Sequence, residues 1–204
     1  MLQKGERRKQ QIIDTAKEMF LEKGYQSTHI GQVCDKLDIA RGTVYQYFGN
    51  KKEILYTLID DISEKVQKLF DNELLCSYLE TKPIQEDVIS FIKKRLSSCI
   101  EILLNEPIII KLIFRDVPGI DSKIIKHVNG VFETVKDVIA KEITKLKETH
   151  FFRDDVDSSI TSNLLVGGVM MIVYEYDKKG LDVMKSEIID SIVKNYLNGV
   201  IVCR

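Results

Sequence analysis

Apolar residues recur at intervals of three and four along almost the whole chain, a repeat that fits helices and little else. Ile12, Ile13, Ala16, Met19 and Phe20 mark a first helix, with Gly24 as its stop. Ile30, Val33 and Leu37 mark a second, shorter one. From Lys51 a longer helix is expected to about Asn72, with Ile54, Leu55, Leu58, Ile62, Val66 and Leu69 on one side. Further helices are expected near 84–104, 107–115, 121–148, 156–179 and 185–201. Pro83, Pro107 and Pro118 fall at or near the breaks, where proline is tolerated. No alternating run flanked by hairpin turns occurs, so no sheet is expected. The expected fold is all-α: a head of three short helices, a connecting helix (51–72), and a larger helical body.

Charge separates the ends. Residues 1–52 carry ten Lys or Arg and six Asp or Glu, a balance of +4. The whole chain is at −1, which leaves −5 for residues 53–204. A basic head on an acidic body implies that one end meets a polyanion. No apolar run approaches the roughly 20 residues of a membrane span, and "PIIIKLIF" is interrupted by Lys111. The basic start "MLQKGERRKQQ" lacks the apolar stretch of a secretory signal. A cytoplasmic protein without membrane contact is the expectation. Cys34, Cys76, Cys99 and Cys203 are scattered, with no metal-ligand spacing, and are expected to be reduced thiols. No metal or cofactor is expected. Serine-hydrolase, P-loop, dinucleotide and zinc-protease motifs are missing. Asp154-Asp155 reads as complementing a helix start. The expectation is a protein that is not an enzyme.

The stretch "DIARGTVYQYFGNKKEI", Asp38 to Ile54, is the most informative. Thr28 to Phe48 reads as two helices of about eight residues around a tight turn near Leu37–Ile39, which is helix-turn-helix spacing. In the second helix Val44 and Phe48 sit four apart and would pack inward. Arg41, Gly42, Thr43, Tyr45, Gln46 and Tyr47 would then face out. Gly42 allows close approach of the backbone to a surface. Thr43 and the tyrosines offer hydroxyls to phosphate oxygens. Lys51 adds charge beside a helix N-terminus that favours anions. Arg41 and Gln46 are types that can read base edges in a major groove.

Residues 7–55 resemble the DNA-binding domain of the TetR family of transcriptional regulators. The resemblance rests on "IIDTAKEMFLEKGYQSTHIGQV" and "ARGTVYQYFGNKKEIL". Within these, Phe20, Gly24, Tyr25, Thr28, Gly42, Thr43, Val44, Tyr45, Tyr47, Phe48 and Lys51 match the family pattern. It implies phosphate contacts for Thr28, Thr43, Tyr45, Tyr47 and Lys51, and base-facing roles for Arg41 and Gln46. It also implies double-stranded DNA with a palindromic operator, a homodimer, and an unknown small-molecule effector, apolar or amphipathic. The domains would be 1–50 for DNA and 51–204 for effector binding and dimerisation, in a regulator acting as a repressor. The turn departs from the family, with Leu37-Asp38-Ile39-Ala40 in place of Ala-Gly-Val-Ser. Asp38 must then adopt a left-handed conformation, and Ala40 lacks a capping hydroxyl. Thr28 or His29 begins the first of the two helices. The competing reading is a helical architectural or partner-binding protein that does not read sequence.

In the body, Ile188, Ile189, Ile192, Val193, Tyr196, Leu197, Val200 and Ile201 form a broad apolar stripe. The preceding helix carries Leu164, Gly167, Gly168 and Met171. The pair of glycines is destabilising in mid-helix unless something packs closely there. This surface is either monomer core or a two-fold four-helix interface. The resemblance favours the interface, built from Leu164, Gly167, Gly168, Met171, Ile188, Ile189, Ile192, Val193 and Tyr196. An effector pocket is expected only from the resemblance. Phe91, Phe114, Phe132, Met170 and Tyr174 are its apolar candidates, and Arg95, His127 and Asn163 its polar ones.

Overall fold

The computed structural model describes residues 4–114, 121–180 and 186–201. Pro118 and Cys203 lie outside them. Ten α-helices occur among the described residues: α1 (Lys4–Lys23), α2 (Ile30–Leu37), α3 (Arg41–Tyr45), α4 (Lys51–Leu69), α5 (Asn72–Glu80), α6 (Gln85–Asn105), α7 (Ile108–Phe114), α8 (Ser122–Glu148), α9 (Ser158–Lys179) and α10 (Ser186–Val200). No strand accompanies them; a lone antiparallel bridge joins Phe152 and Ile201. The all-α expectation holds.

Two compact units divide the chain. The first comprises Met1–Ile62 and Pro107–Asn129. Its core contains the inward residues read from the sequence: Ile12, Ala16, Phe20, Val33, Val44, Ile54 and Leu55 are each at most 2% exposed, and Ile59, which the sequence reading did not include, joins them. α7 packs on α1 and buries Ile108, Ile109 and Ile110. α1 stops at Gly24, whose φ of 85° lets its N–H turn back onto the Phe20 carbonyl at 3.0 Å. α4 begins in a reciprocal cap. The Glu53 N–H donates to Asn50 Oδ1 at 3.2 Å, and the Gly49 N–H donates to Glu53 Oε2 at 2.8 Å.

The second unit comprises Ser63–Glu106 and Gly130–Arg204. α6 packs against α9 and α10. Leu96 and Ile100 of α6 are buried with Ile143 of α8, Val173 of α9 and Leu197 of α10. The connecting helix ends at Leu69, three residues earlier than expected, and α5 follows as a helix of its own. Asp71 separates them: its carboxylate accepts from the Glu73 N–H at 2.9 Å and caps α5.

Candidate nucleic-acid interface

α2, a three-residue turn and α3 form a helix-turn-helix in the first unit. His29, not Thr28, is the N-cap of α2, and its N–H donates to Gln32 Oε1 at 2.9 Å. α2 ends at Asp38, which takes the left-handed conformation (φ 51°) expected where the family has glycine. The Ile39 N–H then closes onto the Cys34 carbonyl at 3.1 Å. Ala40 begins α3 without a side-chain cap. α3 is shorter than expected, and its last turn continues past Tyr45 through Phe48, whose N–H reaches the Val44 carbonyl at 3.0 Å.

Val44 (0% exposed) and Phe48 (3%) face inward as their spacing required. Arg41, Gly42 and Gln46 are exposed, and Tyr45 shows 54% of its surface. Thr43 and Tyr47 are half-buried beside them. Nothing stands within 4 Å of where a Gly42 side chain would be, so the backbone there is open to a surface. Lys9 of α1 holds its ammonium 5.7 Å from the centre of the Phe48 ring.

Two residues expected at phosphates are instead internal struts. Thr28 is fully buried, and its hydroxyl lies 2.9 Å from the Gly24 carbonyl and 3.2 Å from that of Met19. A hydroxyl so placed ties the α1–α2 corner and cannot reach DNA. Lys51 turns its ammonium inward, onto the carbonyls of Tyr25 (2.6 Å), Thr28 (2.7 Å) and Gln26 (3.2 Å). It also lies 4.3 Å from the Tyr25 ring. Partial burial lowers its pKa from the ordinary lysine value. Burial likewise pushes the Tyr25 hydroxyl up to about 12, with Tyr56 and Asp121 adding to the shift. Lys51 therefore staples α4 to the loop before α2, where carbonyls compete for all of its donors.

The pocket candidates are dispersed. Phe114 and His127 belong to the first unit. His127 there lies 2.8 Å from Asp60 and stacks on Tyr56 at 4.2 Å. Asn163 is exposed on α9 and donates to the Ser159 carbonyl of its own helix. In the second unit Met170 is buried, and Phe132 and Tyr174 are half-buried. Phe91 and Arg95 do come together. Phe91 stacks on Tyr78 with ring centres 4.4 Å apart. The Arg95 guanidinium lies 4.9 Å from both the Phe91 and the Phe70 ring. Arg95 (5% exposed) pairs with Glu142 (6%) at 2.7 Å, and its Nε donates to the carbonyl of Leu69, the last residue of α4. Arg95 Nη2 and Glu142 Oε2 are buried without a hydrogen-bond partner. Desolvation pushes the Glu142 carboxyl up to about 7, against the pull of Arg95. The spacing of the sequence does not single out Glu142; only its place on the inner face of α8 points to it.

The apolar stripe of α10 divides into two faces. Ile189 and Val193, expected at an interface, are 5% exposed and belong to the core of the unit. Their spacing matches Leu197 and Val200, which are buried with them. Ile188, Ile192 and Tyr196 point into a groove of about 760 Å³ between α9 and α10, shared with Leu164, Gly168 and Ile172. On α9, Leu164 (70%) and Met171 (47%) are exposed, and no neighbour stands within 4 Å of a side chain placed at Gly167 or Gly168. Burial raises the Tyr196 hydroxyl well above its ordinary pKa, with Glu142 contributing.

The first unit thus defines a helix-turn-helix protein with a polar, partly basic face on its second helix. Residues 12–57 match the family model for bacterial regulatory proteins, tetR family. The HTH-type transcriptional regulator HbdR of Aromatoleum sp. (strain CIB) is 35% identical over 63 residues, 31% of this chain but only 28% of that relative. Among solved structures, the fatty acid degradation regulator FadR from Bacillus halodurans superposes with a TM-score of 0.74 at 18% identity, covering 94% of this chain and 95% of that one. FadR from Bacillus subtilis, in complex with stearoyl-CoA, gives 0.71 at 18% identity over 93% and 98%. The match to the tetR family model is confined to residues 12–57, and over the rest of the chain the likeness to these structures is one of fold.

Proposed function

We propose that this chain is a dimeric, ligand-responsive transcriptional regulator, a cytoplasmic repressor that leaves a palindromic operator when a small apolar or amphipathic effector binds. Residues 1–50 serve as the DNA-binding domain and 51–204 as the effector-binding and dimerisation domain. The reading rests above all on the outward set Arg41, Gly42, Tyr45 and Gln46, seated on the buried Val44 and Phe48. Tyr45, with Thr43 and Tyr47, would hold phosphates and fix register. Arg41 and Gln46 would read base edges. One short helix offers few base contacts, so two heads on two half-sites are needed for specificity. The exposed Leu164, Gly167, Gly168 and Met171, with Ile188, Ile192 and Tyr196 in the groove, supply an apolar surface for a second copy.

The effector would engage the second unit. The stearoyl-CoA complex of one protein of this fold supports a ligand with a long apolar part. Arg95 and Glu142 are the polar centre best suited to its head group, since each has a buried atom without a partner. Arg95 also holds the carbonyl that ends α4, so a ligand that redirects the guanidinium would act on the helix leading to the head. The two recognition helices of a dimer would then lose the roughly 34 Å spacing of successive major grooves.

Selection of bound duplexes from a randomised library tests this reading. Enrichment of a two-fold symmetric motif is expected. Binding with no enriched motif would leave a helical architectural protein instead.

A further inference from the structure

We infer that Gly31 is a specificity-determining residue of the head: by lacking a side chain it seats the Arg41 guanidinium against α2 and so sets where Arg41 meets a base. The inference rests on the base-reading role proposed for Arg41.

Gly31 is the second residue of α2 and has no left-handed backbone that would call for glycine; among the described glycines only Gly24 and Gly180 do. Within a helix alanine is the better residue. What distinguishes the position is its neighbour. A Cβ placed on Gly31 would stand 2.7 Å from Arg41 Nη2, 3.3 Å from Cζ and 3.5 Å from Nε. The guanidinium therefore lies across bare backbone, one turn before the buried Cys34. Its charge is close enough to pull the Cys34 thiol down against the burial that raises it. At Gly42, by contrast, a side chain would meet nothing within 4 Å.

Arg41 is anchored at its backbone as the first residue of α3, and its guanidinium lies against the bare Gly31. A methyl at Gly31 would have to move Nη2 from 2.7 Å to the 3.4 Å of ordinary contact. The tip of an arginine shifts at little cost, so the fold survives. A bidentate hydrogen bond to a base edge does not tolerate such a shift, because both N–H groups must stay aligned.

The test uses the full chain as wild type, Gly31→Ala, Arg41→Ala and the double variant. Each is titrated against the selected operator and duplexes bearing single base-pair changes, alongside thermal melts. Arg41→Ala identifies the base pair that Arg41 reads. Gly31→Ala is expected to lose discrimination there by roughly 5- to 150-fold, the equivalent of one misaligned bidentate contact. Its melting temperature should not fall, and the double variant should match Arg41→Ala. Wild-type discrimination in Gly31→Ala, where Arg41→Ala has lost it, overturns the inference and spares the role of Arg41. So does an equal effect of Gly31→Ala in the Arg41→Ala background. A lower melting temperature also overturns it, since the methyl would then be meeting backbone. Unchanged discrimination in Arg41→Ala removes the base-reading role and the inference together.

Discussion

Replacing Tyr45 by Phe deletes a single hydroxyl from a ring that is 54% exposed and packs little. Affinity for DNA should fall by about 0.5–1.5 kcal/mol, the worth of one hydrogen bond. Because a phosphate contact carries no sequence information, operator and random duplex should lose equally in a mobility-shift titration. Thr28→Val should do the reverse. Its hydroxyl serves the carbonyls of Gly24 and Met19, so the change should cost about 1–3 kcal/mol of stability, read from urea melts, and leave the affinity of the folded protein intact. Both residues match the same family pattern, and at the level of sequence both were assigned to phosphate. Only burial separates them. A threonine's neighbours nine residues back in the chain, or a lysine's bonds 25 residues away, are set by how α1, α2 and α4 meet, and no local spacing encodes that.

Between helices, the burial of Glu142 on α8, against the pull of Arg95 on α6, sets a pH dependence. Desolvation raises the folded carboxyl from an ordinary 4.5 to about 7. Between those values the folded chain keeps a proton that the unfolded chain has released. This contribution is therefore full below the unfolded value and is lost as pH rises through about 7. The exposed carboxylates Asp121 and Asp155 are shifted down, by Lys52 and Arg153 respectively, and act only at lower pH. Urea midpoints should fall from pH 5 to pH 8, and Glu142→Gln should remove most of that slope. A slope unchanged in the variant would assign it elsewhere. Most helices were legible from the sequence, because a stripe such as Ile54, Leu55, Leu58 and Ile62 has one buried face and one period. α5 was not. Its apolar residues continue directly from those of α4, and the boundary rests on Asp71 as a cap. The stripe of α10 was legible as apolar but not as two faces, since periodicity cannot say which half meets its own chain.

For the whole molecule, Ile192→Asp and Val193→Asp separate assembly from folding. Ile192 lines the groove between α9 and α10, whereas Val193 is core. In a two-fold interface the Ile192→Asp carboxylate is buried once per protomer, at a cost of several kcal/mol. Ile192→Asp should be monomeric by light scattering, with wild-type helical circular dichroism and without tight operator binding. Val193→Asp should instead lose helical signal. A dimeric Ile192→Asp would move the interface to another surface. The central claim is that the head reads sequence, and one titration addresses it most directly: the full chain against its selected duplex and a scrambled duplex of equal length, at physiological salt. Affinity should be at least about 10³-fold higher for the selected duplex. Equal affinity for the two, falling alike with salt, would mean that the face built on Arg41, Tyr45 and Gln46 grips phosphates and reads nothing.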